Sequence, residues 1–150
     1  MKGLLKLAVV VAIVLLIWKK GVPWWEAHRG GAAKSTASAA GDSCVELAEK
    51  ASETWGSGLS HFVNPPYDLS AWGDFRSRTD AAIARAESQC SCGQESCAKV
   101  RQAMGDLRSL ASDLDNTIRA GSPPPDGLVQ RQEQIDNTIN AARDAVRAGT

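Results

Sequence analysis

Apolar residues are arranged along this chain in two different ways. From Leu4 to Trp18 they are continuous, with Lys6 the one polar interruption, whereas from Cys44 onward they recur every three or four positions with polar residues between them. A continuous run suits a segment with apolar surroundings on all sides. The spaced pattern suits helices that each bury a single stripe.

Four such helices can be marked by their start and stop signals. The first begins at Ser43, where Ser43-x-x-Glu46 has the form of a capping box, and its stripe is Cys44, Leu47, Ala51, Trp55 and Leu59, with Gly56 and Gly58 fraying its end. The second follows Pro65-Pro66, with Asp68 or Ser70 as cap and a stripe of Leu69, Trp72, Phe75, Thr79, Ile83, Ala86 and Cys90. After a turn at Gly93 the third keeps a strict three-four spacing, Cys97, Val100, Met104, Leu107, Ala111, Leu114 and Ile118, and stops at Gly121. Ser122-Pro123-Pro124-Pro125 is a stiff connector. Asp126 is the expected cap of a fourth helix carrying Leu128, Ile135, Ile139, Ala142 and Val146. Acid-before-base pairs at i,i+4, namely Glu46 with Lys50, Asp74 with Arg78, Glu95 with Lys99 and Asp115 with Arg119, fall off these stripes and mark solvent faces.

No stretch alternates at period two, and each helix has one face to bury, so the expected fold is all-α: a small antiparallel bundle of about four helices. The tetrapeptide Asp-Asn-Thr-Ile occurs at 115–118 and again at 136–139, but its flanks do not match and it defines no repeat.

The continuous apolar run is expected to be a single transmembrane helix over residues 3–22, so that the lipid bilayer is the first predicted partner. The run is shorter than the ~20 residues of an ordinary span. Lys6 can snorkel to one surface and Lys19 and Lys20 to the other, while Trp18, Trp24 and Trp25 suit the headgroup region. Cleavage as a signal peptide is disfavoured because Lys-Lys-Gly-Val-Pro-Trp-Trp follows the run, and the first small-x-small site, Ala37-Ser38-Ala39, lies far downstream. The start of the chain resembles a type IV prepilin in its short basic leader, Gly3 and apolar helix. It departs from that pattern at Ala8, where pilins carry a glutamate, and at Val22-Pro23, where pilins continue the helix. The organisation expected is therefore an uncleaved signal anchor with its interfacial segment over 1–29, a flexible small-residue linker over 30–42, and a bundle over 43–150.

Charge separates the same two regions. The 150 residues carry 17 basic and 17 acidic side chains, but residues 1–41 hold six basic and one acidic, which leaves the remainder net negative. An acidic body without a basic stripe argues against nucleic acid as a partner. Basic residues on both flanks of the apolar run, Lys2 and Lys6 before it and Lys19, Lys20, Arg29 and Lys34 after it, would by their count place the body in the cytoplasm. The cysteines point the other way.

In an up-down bundle the start of the first helix, the end of the second and the start of the third share one end, and Cys44, Cys90, Cys92 and Cys97 occupy those places. Shared location favours bonding, hence an oxidising compartment. A Cys90–Cys92 bridge would strain the backbone. Cys44–Cys90 with Cys92–Cys97 is preferred because Cys44 and Cys90 lie on core stripes of adjacent helices; Cys44–Cys92 with Cys90–Cys97 stays open. A tetrahedral thiolate zinc site is the competing use of the four sulfurs, although paired Cys-x2-Cys knuckles are absent.

Asn64-Pro65-Pro66-Tyr67 resembles the catalytic tetrapeptide of amino-group DNA methyltransferases, which would imply an Asn that orients a target amine and a Tyr that stacks on a flipped base. Those enzymes present it at the end of a buried parallel strand beside a glycine-rich cofactor loop, and neither feature is in this sequence. The tetrapeptide reads instead as a rigid elbow between the first two helices. Its aromatics, Phe62, Tyr67 and Trp72, form either a binding surface or the closure of the core. His28 and His61 belong to no catalytic or metal constellation, and no nucleophile elbow, P-loop or dinucleotide fingerprint occurs. No catalytic residue, metal or cofactor is expected.

The role expected is that of a membrane-tethered, non-enzymatic helical domain, an interaction or assembly module of the cell envelope with an unknown envelope protein as partner. The chain would be single-pass in the cell membrane with its C-terminal domain extracytoplasmic, periplasmic if bacterial. A zinc or thiol-redox protein built on the four cysteines, and a small accessory subunit of a larger membrane complex, are the competing readings.

Overall fold

The computed structural model describes residues 39–149, and among these the fold is all-α. Helix α1 covers 39–59, α2 Leu69–Gln89, α3 Glu95–Arg119 and α4 Leu128–Ala148, with a single 3₁₀ turn at Ser60–Phe62 after α1. Among the described residues no helix is long and apolar enough to cross a membrane. The expected anchor over 3–22, with Trp18, Lys19, Lys20, Trp24 and Trp25, lies outside them.

Contacts between helices show the order in which they pack. Early in α1 Cys44 is bonded to Cys90 at the end of α2, and late in α1 Trp55 stacks on Phe75 early in α2, with ring centroids 5.6 Å apart. Trp72 of α2 meets Asp115 near the end of α3, and Asp113 of α3 pairs with Arg131 early in α4. Finally Glu49 pairs with Arg143 while Ser52 bonds to Asp136, so position rises along α1 as it falls along α4. Each helix is antiparallel to the next, and α4 returns to α1 to close the ring.

The buried residues follow the helical period. In α1 they are Gly41, Cys44, Val45, Ala48, Ala51, Ser52 and Trp55, a face made mostly of small side chains that lets its neighbours approach closely. All seven stripe residues expected for α3 are buried, joined by Ala103 and Leu110, which widen the stripe to a face packed from both sides. The five expected for α4 are buried as well.

Helix ends depart from the sequence reading at several points. Helix α1 is already formed at residue 39, so Ser43 and Glu46 are exposed positions inside it and make no capping box; the helix takes in 39–42 of the segment read as linker. It also runs through Gly56 and Gly58 instead of fraying there. At α2 the cap is Asp68, whose Oδ1 accepts from the backbone N–H groups of Ser70 at 2.9 Å and Ala71 at 3.0 Å. Leu69 is exposed rather than core because it lies one turn beyond the layer of Trp72 that closes the bundle. Helix α3 ends with Gly121 at φ 64°, its N–H bonded to the Ile118 carbonyl and the Ser122 N–H to the Thr117 carbonyl, the paired bonds of a Schellman stop. Gly127, not Asp126, occupies the cap of α4, and its carbonyl accepts the first helical bond, from Arg131 N–H.

Candidate functional site

The two ends of the bundle differ in chemistry. At the end where α1 starts, α2 stops and α3 starts, the four cysteines come together as two disulfides: Cys44–Cys90, with Cα atoms 5.2 Å apart, and Cys92–Cys97, with Cα atoms 5.8 Å apart. Cys44, Cys90 and Cys97 are fully buried, whereas Cys92 is half-buried in the short connection between α2 and α3. That connection also seats the start of α1. A Cβ added to Gly41 would stand 2.7 Å from Gln94 Oε1, 3.2 Å from Ser96 Oγ and 3.1 Å from Val146 Cγ2, so the backbone of α1 comes close to the α3 entrance and the end of α4 here, and a side chain would require these groups to shift. Bonded pairwise, the sulfurs leave no thiolate for the zinc site that competed for them, and no group of three or more potential ligands is placed to hold a metal among the described residues.

At the opposite end the elbow aromatics are not a free surface. Phe62 and Trp72 are buried, their rings meeting edge to face with centroids 5.1 Å apart, and Phe75 packs on both, at 5.4 Å from Phe62 and 5.5 Å from Trp72. Tyr67 is half-buried and its hydroxyl donates to the Ser122 carbonyl at 2.9 Å, tying the α1–α2 elbow to the α3–α4 connector. Proline leaves the elbow few conformations, and the rings find more contact inward than outward. Of the three residues considered as a binding elbow, two therefore close the core and the third locks one loop to another. What remains open beside them is a shallow cleft of about 350 Å³ rimmed by His61, Asp68 and Arg78. Among the described residues the exposed large apolar side chains, Val63, Leu69 and Val129, belong to this same end.

Polar links across the helices were not visible in the sequence. Asp115 accepts from the Trp72 indole N–H at 2.6 Å and from Arg119 at 2.8 Å, so one carboxylate expected on a solvent face is a bridge between α2 and α3. The hydrogen-bonded Arg119 guanidinium holds the Asp115 carboxyl below the usual carboxylate range; burial opposes this, and the Trp72 N–H adds to the lowering. A second bridge joins α1 to α4, where Ser52 Oγ donates to Asp136 Oδ1 at 2.6 Å and Gln132 Nε2 donates to the same carboxylate at 3.1 Å. Both aspartates head the Asp-Asn-Thr-Ile tetrapeptide, and both of its isoleucines are buried. The echo is thus a local device used twice, a carboxylate reaching sideways beside an isoleucine pointing inward.

A pH experiment follows from the depressed Asp115. A carboxyl whose folded pKa lies below its unfolded one, about 3.9 for Asp, contributes stability that is complete above the unfolded value and is lost as pH falls through the folded value. Melting temperature measured between pH 2 and 6 should therefore fall less steeply with acid in Asp115→Asn than in the parent chain. Equal slopes would show that other carboxylates carry the acid limb.

The chain matches no family model, no curated protein and no solved structure.

Proposed function

We propose that this chain is a membrane-tethered, non-enzymatic helical module held on the oxidising side of a membrane, where the 39–149 bundle serves interaction or assembly of envelope components. The observation that carries this reading is the joining of all four cysteines in two disulfides at one end of the bundle. Disulfides persist in extracytoplasmic compartments and are rare among reduced cytosolic proteins. The apolar run from Leu4 to Trp18, flanked by lysines and tryptophans, supplies the anchor in this reading.

The non-enzymatic part of the reading rests on how the polar residues are used. Asp115, Asp136, Glu49, Asp113 and Glu87 each pair with a group on a neighbouring helix, so these carboxylates are used in holding helices together. Exposed ion pairs of this kind contribute little individually. Their value here is in fixing which helix faces which.

Topology can be tested in the native host. The full chain should remain in the membrane pellet after alkaline extraction, and a protease added outside the cytoplasmic membrane should digest the bundle after heating or reduction while leaving cytoplasmic markers intact. Release by alkali would remove the anchor. Protection of the bundle until the membrane itself is lysed would place it on the cytoplasmic side.

A further inference from the structure

The two disulfides stand in different electrostatic and solvent environments, and the difference has chemical consequences. We propose that Cys92–Cys97 is a thiol-exchange site: an incoming small thiolate bonds to Cys92 Sγ and Cys97 Sγ departs, while Cys44–Cys90 stays closed. This rests on burial and helix position, not on the membrane reading above.

Access selects the sulfur that is attacked. Thiol–disulfide exchange requires a thiolate to reach one sulfur of the bridge. Cys44, Cys90 and Cys97 are each fully buried, so the Cys44–Cys90 bridge is sealed at both ends, whereas Cys92 is half-buried on a connection of five residues between α2 and α3. The neighbours Ser91 and Gly93 are exposed.

Helix position selects the sulfur that leaves. Cys97 is the third residue of α3, within the first turn, where unpaired backbone N–H groups and the positive end of the helix dipole stabilise an anion. Cysteine thiols at helix N-termini are correspondingly more acidic, and a more acidic thiol is the better leaving group. Cys90 is placed in the reverse manner. It caps the C-terminus of α2, its own N–H bonded to the carbonyls of Ala86 and Glu87, at the end of a helix that disfavours a thiolate. Glu95 also lies in the first turn of α3 and would repel the Cys97 thiolate, but it is paired with Lys99 at 3.3 Å.

The exchange balances without a metal or any further oxidant. The thiolate of the reductant forms a bond to Cys92 Sγ, the Cys92–Cys97 bond breaks, and its electron pair leaves on Cys97. With a dithiol, the second thiolate then attacks the reductant's own sulfur in the mixed disulfide. Cys92 is released as thiolate, the reductant becomes a disulfide, and two electrons and two protons have passed to the protein.

The oxidised full-length chain, treated with limiting dithiothreitol and quenched with acid and N-ethylmaleimide, tests the order of opening by peptide mass. Label should enter Cys92 and Cys97 about tenfold faster than Cys44 and Cys90 or better, with the helical circular dichroism signal retained. With glutathione in place of the dithiol, the mixed disulfide should sit on Cys92 and the alkylated thiol on Cys97. Equal or faster opening of Cys44–Cys90 would overturn the proposal, as would glutathione found on Cys97. Cys97→Ser supplies a folded control: its unpaired Cys92 should take up oxidised glutathione readily, and an inert Cys92 would refute its accessibility.

Discussion

Phe75→Ala is expected to destabilise the bundle by about 3–5 kcal/mol, the range for removing a buried aromatic ring. The ring lies against Trp55 of α1, Phe62 of the 3₁₀ turn and Trp72 of its own helix, with centroids 5.4 to 5.6 Å apart, so it joins three segments at the proline end. Elsewhere the core leans on Ala48, Ala51, Ala86, Ala103, Ala111 and Ala142, which bury little area each. The large rings therefore carry a disproportionate share of the apolar surface removed from water. The same ring explains why α1 contains Gly58, since a Cβ there would fall 2.2 Å from Phe75 Cε2. Heat and urea unfolding should show a melting temperature lower by roughly 12–20 °C in Phe75→Ala. Gly58→Ala should destabilise the parent chain, yet in the Phe75→Ala background the clash is gone and the helix preference for Ala over Gly, about 1 kcal/mol, should make it stabilising. An unchanged effect of Gly58→Ala in both backgrounds would show that the ring does not rest on that backbone.

Gly58 also shows where a sequence reading runs out. As a residue it is a helix breaker, and only the position of Phe75, seventeen residues on, converts it into the place where a helix must be bare. Helix α3 is legible because its stripe repeats at every third or fourth position, and α4 because Ile135, Ile139, Ala142 and Val146 keep that spacing even though Arg131 and Gln132 break it after Leu128. The start of α1 was not, because Ala39 and Ala40 look the same in a tether and in a helix; Gly41 belongs to the bundle through Gln94, Ser96 and Val146, all distant in sequence. Local chemistry alone marks the cap at Asp68, where two N–H groups are in reach. It fails for Ser43 and Asp126, where the chain is already helical or turns through Gly127 instead.

For the candidate sites the division is similar. That four cysteines gather at one end follows from connectivity, since three neighbouring helix termini of an up-down bundle must meet. That Phe62 and Trp72 face inward depends on how the elbow closes, and Tyr67 reaching Ser122 decides it through a contact fifty-five residues apart in sequence. The bridging roles of Asp115 and Asp136 leave no mark on periodicity, because a carboxylate at the flank of a stripe is equally consistent with open solvent. Local pairing accounts for Asp115 with Arg119; the contact that matters for packing is with Trp72 on another helix.

Removing the Cys44–Cys90 bridge by Cys44→Ala with Cys90→Ala is expected to cost about 4 kcal/mol, and removing the other by Cys92→Ala with Cys97→Ala about 2 kcal/mol, from the chain entropy each closure withholds from the unfolded state. The sequence separations are 46 and 5 residues, and the logarithm of the loop length sets the ratio. The long closure also joins helices that have little else to hold them at this end, because α1 faces its neighbours with Gly41, Ala48, Ala51 and Ser52. Losing it should loosen α1 first. Hydrogen exchange in the Cys44→Ala, Cys90→Ala protein should rise most over 39–52 while the centre of α3, walled by Leu107, Leu110 and Leu114, keeps its protection longest. Greater loss of stability from the Cys92, Cys97 pair would mean that the short bridge acts through the native seat of Gly41 and not through loop closure. Uniform loss of protection across all four helices would mean that α1 has no independent opening and that the bundle unfolds as one unit.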